Sequence, residues 1–352
     1  MLNTFSDPYA AFALRVGIAA IGLTLLLVLV IVFLRLWLRR NLRREKAFIA
    51  VWRPLLLEAV SEAQPNSLPV LQARDRLFFL KLWNYLQESL RGSASDRLNE
   101  LARRLKCDVA ARGYLKKGRR AERLLAILTL GHLRDSASWE ELADQATRPD
   151  SLASIHAARA MTRIDPLPAI DRLLPLLLAR DDWGITQVAG FLAEARPAFG
   201  LHLTKNIRTM NQRHWPRALQ LADALRLELP PATMQFILGN SRSVEALVAA
   251  LRLASGLPLL PTVRRFLRHP DWRVRVEVAR CLGNFGDRGD LLLLQHLLED
   301  KHWWVRYRAA QSLASMPFFG PEELRALRAK TDDALARDML DQVLAERHAI
   351  PA

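Results

Sequence analysis

Between residues 119 and 340 the chain returns again and again to one pattern. An apolar helical stretch ends in a Leu-like residue, often followed by a small one. LGHL begins at Leu130, MTRI at Met161, LAEA at Leu192, ADAL at Ala222, LASG at Leu253, LGNF at Leu282 and LASM at Leu313. The step stays near 30 residues throughout. A period in this range belongs to solenoids and propellers, in which each unit hides its apolar side against the next. No strand-like alternation lies between the markers. Apolar residues make up 51% of the chain but aromatics only 7%, with Leu and Ala dominant. Such side chains lose little rotamer freedom in a helix. The expected fold is all-α: a right-handed α-solenoid of about seven helix pairs, preceded by a helical connector and one transmembrane helix.

The stretches DWRVRVEVARCLGNFG (271–286) and HWWVRYRAAQSLASM (302–316) show the unit most clearly. Pro270, Asp271, Val274, Arg275, Ala279, Leu282, Gly283 and Gly286 recur in part as Val305, Arg306, Ala309, Ala310 and Leu313. This pattern resembles the short form of the HEAT-repeat family of armadillo-type solenoids. Pro149, Asp150, Ala157 and Ala158 keep part of it, as do Asp182 and Trp183, whereas the units near 222 and 253 fit only by spacing. The resemblance implies a surface that binds other proteins. In such a unit Asp271 caps the second helix by accepting backbone N–H groups. Val274, Val278, Ala279 and Leu282 face the core. Arg275 and Arg306 run along the stack toward acids or carbonyls of the next unit. Gly283 and Gly286 are expected to let the chain turn out of the helix.

At the other end, residues 16–34 form an uncharged apolar run, extended by residues 11–14 and 36–38. At about 1.5 Å per residue it matches a hydrocarbon core of about 30 Å. A signal peptide carries its positive charge before the apolar run, whereas here Arg35, Arg39, Arg40, Arg43, Arg44 and Lys46 follow it. The asymmetry predicts a single-pass protein of the inner (plasma) membrane, with its N-terminus outside and residues 35–352 in the cytoplasm. The expected organisation is a short extracytoplasmic tail (1–15), a transmembrane helix (16–38), a basic connector (39–118) and repeats (119–345). The formal net charge of +15 is concentrated near the membrane segment. Arg39, Arg40, Arg43, Arg44, Lys116, Lys117, Arg119 and Arg120 are candidates for contact with anionic lipid headgroups. Trp37 and Trp52 suit either the membrane interface or packing.

The connector reads as a helix over 45–64 with Phe48, Val51, Leu55 and Ala59 on one side and a kink or break at Pro54. A loop follows at QPNSLP (64–69), then a helix over 70–90. Ser93 with Asp96 starts another helix in the manner of a capping box, and that helix runs on to Gly113.

No nucleotide-binding, zinc-protease, hydrolase-nucleophile or Cys-x-x-Cys motif is present. GNFGDRG follows a helix rather than a strand and reads as a turn between repeats. His296, Glu299 and His302 do not share a tight helical face, and Cys107 and Cys281 are far apart in sequence. No catalytic residue, cofactor, metal or small-molecule substrate is expected. Trp183, Trp272, Trp303 and Trp304 each sit just before the second helix of a unit and are candidates for binding a protein partner. Two adjacent indoles cannot both point inward, so at least one of Trp303 and Trp304 should be exposed.

The leading expectation is a membrane-anchored adaptor that docks a membrane-associated protein partner at the cytoplasmic face. Among bacterial proteins of this plan, the resemblance suggests an accessory subunit of an assembly that makes or exports polysaccharide. The alternatives are an enzyme and a nucleic-acid-binding module. Short HEAT-like repeats also resemble those of bilin lyases and helical DNA glycosylases, whose grooves carry acidic and aromatic residues; here such a groove would lie within 190–260. Nucleic acid would bind through the basic segment 97–123.

Overall fold

The computed structural model describes residues 8–61 and 68–349, and every regular element among them is helical. The first seven residues of the expected tail and residues 64–67 of the expected loop lie outside the described residues. The chain divides into two compact units, residues 1–133 and 134–352.

Unit 1 contains α1 (Pro8–Val60), α2 (Arg76–Ser89), α3 (Ser93–Arg104), α4 (Cys107–Lys117) and α5 (Arg120–Leu133). The apolar run and the connector's first helix form a single helix, not two. Pro54 does not interrupt it. Pro54 and Ala50 are both exposed, so the carbonyl that Pro54 leaves without an N–H faces solvent. The buried face of this part of α1 is Trp52, Leu56 and Ala59, with Val51 on the outside, one residue away from the expected stripe. Trp52 stacks on Phe48 and meets Phe79 edge-on at 5.1 Å, so its role is packing. Trp83 lies at the centre of this core and donates its indole N–H to the Leu98 carbonyl at 3.0 Å.

Two further expectations for this unit fail. Residues 96–115 do not form one helix, because Lys106 takes a left-handed conformation (φ 55°) that separates α3 from α4, and Gly113 lies inside α4. Ser93 is the first residue of α3 rather than its cap, and Gly92 at φ 63° precedes it. α5, which carries the marker Leu130, packs on α4 and α2 within unit 1.

Unit 2 is a succession of short helices: α6 (Trp139–Thr147), α7 (Ser151–Ile164), α8 (Pro166–Ala179), α9 (Ile185–Leu192), α10 (Arg196–Asn206), α11 (Trp215–Ala224), α12 (Pro231–Asn240), α13 (Val244–Leu253), α14 (Leu260–Arg264), α15 (Trp272–Phe285), α16 (Asp290–Leu298), α17 (Trp303–Ser315), α18 (Pro321–Lys330) and α19 (Ala334–Ala349). From α7 onward each odd-numbered helix packs on the next odd-numbered one, with the even-numbered helices on their flanks. This is the layout the period requires, since one amphipathic pair cannot bury its apolar face alone. Ala158, Ala189, Ala250, Ala279 and Ala310, each three residues before its marker, are buried where consecutive helices approach. A larger side chain there would push the stack apart.

Candidate functional site

The best-formed joint in unit 2 links α15 and α17. Asp271 caps α15 by accepting the Arg273 N–H at 2.8 Å. Val274, Val278, Ala279 and Leu282 are fully buried. Arg275 is only 7% exposed and donates two hydrogen bonds to the Asp300 carboxylate, at 2.6 and 2.8 Å. It also donates to the His269 and Pro270 carbonyls. Burial pushes the Asp300 carboxyl up, but the Arg275 hydrogen bonds, the His302 amide and the Arg275 charge outweigh it and hold it below the usual carboxylate range. Arg306 occupies the same position one unit later, 7% exposed, and donates to the Asp300 backbone carbonyl at 2.9 Å. Thr331 stands where the next unit would hold its carboxylate. Arg306 Nε has no hydrogen-bond partner among the described residues.

Gly283 does not turn the chain out of the helix. It lies inside α15 against α17, and a Cβ there would meet Ser312 Cβ at 2.6 Å. Only Gly286 ends the helix. GNFGDRG is an inter-repeat turn. It is held by Arg264, which bonds both the fully buried Asp290, at 2.7 and 2.9 Å, and Asp287. Sequence reading missed that network, whose only signal was the Asp–x–x–Asp spacing after Gly286.

The tryptophans separate into packing and surface groups. Trp183 is fully buried, donates to Ser154 Oγ at 3.1 Å and lies under the Arg180 guanidinium. It is a packing residue and cannot anchor a partner. Trp272 is half-buried and stacks on His302 with ring centres 4.1 Å apart. Trp303 and Trp304 are both exposed, at 39% and 51%. They meet edge to face at 4.6 Å, and Trp303 stacks on Tyr307 at 5.1 Å. The Tyr307 hydroxyl donates to the Glu346 carboxylate of α19 at 3.0 Å. Burial and the Glu346 carboxylate push the Tyr307 hydroxyl above its ordinary range, so it stays protonated and able to donate. Two indoles are thus held rigid at the surface, and little rotamer freedom would be lost if they entered a partner.

Of the basic candidates, Arg39, Arg40, Arg43, Lys116, Lys117, Arg119 and Arg120 are exposed. Arg44 differs: it pairs with Asp75 and lies over Phe78, so it holds α1 to α2. Cys107 and Cys281 are buried, and burial pushes both thiols up to about 12. Cys281 donates to the Leu251 carbonyl at 3.2 Å. Among the described residues no group of three or more His, Cys, Asp or Glu side chains is placed to hold a metal ion. Two shallow hollows, of about 560 and 430 Å³, lie in the middle units and share Arg196. Glu228 is the one carboxylate lining them, and no aromatic side chain does.

Comparison with curated proteins finds no match. Among solved structures, the crystal structure of an engineered protein aligns at 17% identity with a TM-score of 0.36, covering 82% of this chain and 88% of that one. The family model of HEAT repeats matches twice, over residues 244–314 and 259–345. These matches span α13 to α19, including the Arg275–Asp300 joint and the Trp303–Trp304 pair, and they support placing this part of the chain among HEAT repeats.

Proposed function

We propose that this chain is a membrane-anchored repeat adaptor that binds a protein partner through the exposed Trp303–Trp304 pair. The rigid support of two exposed indoles by Tyr307 and Glu346 carries this reading, since isolated solvent-facing indoles gain nothing from such a brace. HEAT repeats commonly mediate protein–protein interaction, which agrees with it. The anchor is α1. Its segment over 16–38, apolar except for Arg35, is uncovered and long enough to cross a bilayer. The excess of arginine after the segment favours the repeats in the cytoplasm. Tethering raises the local concentration of the repeats near other membrane components, so a modest interface suffices for an accessory subunit of a membrane assembly.

The test is affinity purification of the full chain from detergent-solubilised membranes. The Trp303→Ala/Trp304→Ala variant should retain the partner less well by roughly tenfold or more, with unchanged thermal unfolding. Equal retention by the variant would remove the Trp pair from the interface. Turnover of a small molecule by the purified chain alone would replace the adaptor with an enzyme.

A further inference from the structure

We propose that Thr331 is a phosphorylation site, and that its phosphate acts as the counter-anion of the buried Arg306 guanidinium. The proposal is independent of the tryptophan pair. From the adaptor reading it takes only the placement of the repeats in the cytoplasm, where nucleoside triphosphate is available.

The repeat register fixes where Thr331 lies. α15, α17 and α19 begin at Trp272, Trp303 and Ala334, at steps of 31 residues. Their buried faces keep the same step: Val274, Val305 and Ala336 are fully buried, and so are Val278, Ala309 and Leu340. Asp271 accepts the Arg273 N–H at the head of α15, and Asp333 accepts the Ala336 N–H at the head of α19. α18 and α19 pack on α17 as α16 and α17 pack on α15. Thr331 therefore stands to Arg306 as Asp300 stands to Arg275.

The two arginines share one half of their contacts and differ in the other. Nη1 of Arg275 donates to the His269 carbonyl at 2.7 Å, and Nη1 of Arg306 donates to the Asp300 carbonyl at 2.9 Å, the same bond one step later. The other edge of Arg275, Nε and Nη2, meets the Asp300 carboxylate at 2.6 and 2.8 Å. The matching edge of Arg306 has a threonine at that position, and its Nε has no partner among the described residues. Arg306 is 7% exposed, and a cation so buried is costly until an anion meets it.

A hydroxyl is a group on which that anion can be built. In the transfer, Thr331 Oγ1 forms a bond to the γ-phosphorus of a nucleoside triphosphate. The bond from that phosphorus to the bridging oxygen breaks, the diphosphate leaves, and the hydroxyl proton passes to a base of the protein kinase. The product carries a charge of about −1.5 to −2 and three acceptor oxygens, which suit the two-donor edge of an arginine. The Thr331 hydroxyl otherwise donates to the Leu327 carbonyl at 2.9 Å. Esterification removes that donor and frees the side chain from α18. Access is provided by the same segment: Thr331 is half-buried in the turn before α19, and Leu324 is the one buried residue of α18, so this stretch opens at little cost. Asp332 and Asp333 follow Thr331. Beside two acids, a phosphate stabilises the fold only through Arg306.

The experiment installs phosphothreonine at residue 331 of the full chain in detergent micelles and, as a control, at the exposed Thr209. Modification at 331 should raise the thermal midpoint by about 3 °C or more, Thr331→Asp by less, and modification at 209 not at all. The rise should vanish or reverse in Arg306→Met. Arg306→Lys, which keeps the charge without the fork, should retain less than half of it. No rise at 331, or an equal rise in both Arg306 variants, would overturn the proposal whether or not the adaptor reading holds. Chain isolated from its own membranes under phosphatase inhibition should yield a peptide phosphorylated at residue 331 by mass spectrometry, and its consistent absence would also overturn the modification. An equal rise in the unmodified chain on adding millimolar inorganic phosphate, lost in Arg306→Met, would assign the position to a free anion and overturn it as well.

Discussion

The C-terminal repeats of unit 2 and its middle repeats are joined by the same side chain used in two ways. Between α15 and α17, Arg275 reaches forward to a carboxylate. In the middle, Arg217 of α11 reaches back to two carbonyls, donating to Leu177 O at 2.6 Å and Trp183 O at 2.5 Å. Arg180 does the same toward the Ala146 and Arg148 carbonyls. Carbonyls are supplied by any backbone, so these two contacts place no demand on the acceptor's side chain. A carboxylate must be encoded. The repeat pattern is therefore sharpest at the buried Arg275–Asp300 joint, whereas the ion pairs of the middle units, such as Arg163–Glu194 at 3.8 Å, involve a half-exposed carboxylate.

Removing each arginine should separate the two kinds of joint. Arg275→Met leaves Asp300 buried without its counterion and should destabilise unit 2 by about 3–5 kcal/mol in chemical denaturation. Arg217→Met removes hydrogen bonds to two neutral carbonyls and should cost about 1–3 kcal/mol. Acid should divide them further. The Asp300 carboxyl is held below 3.8 in the folded protein, so its contribution is complete above about pH 4 and fades as pH falls through the folded value. The difference between the native chain and Arg275→Met should narrow on acidification. The cost of Arg217→Met should change less, since Asp181 and Asp182 act on Arg217 only through space, and a parallel narrowing would show that the distinction is wrong.

A glycine pair gives a smaller contrast. Gly283→Ala drives a methyl into Ser312 and should cost about 1–3 kcal/mol. Gly190, within α9, has nothing within 4 Å of where its Cβ would lie. Gly190→Ala should stabilise by up to about 1 kcal/mol through helix propensity alone. The smallest-scale test would complete the ionic series. Thr331→Asp offers Arg306 the carboxylate that Asp300 gives Arg275, and should raise stability by about 1 kcal/mol, read as an increase in thermal midpoint.

The period, the core positions 274, 278, 279 and 282, the Asp271 cap and the Arg275 contact were legible because each follows from spacing within one unit. What was not legible depended on neighbours. Gly283 looks like a helix stop until Ser312 is placed against it. Lys106 breaks a helix in mid-pattern, and neither its type nor its flanks carry a stop signal. Pro54 is a helix breaker by rule, yet its exposed position lets α1 continue. Trp183 and Trp304 hold equivalent-looking places, and only the packing around them makes one core and the other surface. Of the candidate surface, the sequence marked the indoles but not the Tyr307–Glu346 brace, whose members lie 39 residues apart.

The unbroken course of α1 has a mechanical meaning. From Gly22 to Pro54 it contains neither glycine nor proline, and from Trp52 onward it is part of a packed core. With α1 across a bilayer, unit 1 has no swivel at the lipid boundary. A helix leans to match the thickness of the hydrocarbon around it. Unit 1 must lean by the same angle, so a change in lipid composition would be felt as a change in the orientation of a domain outside the bilayer.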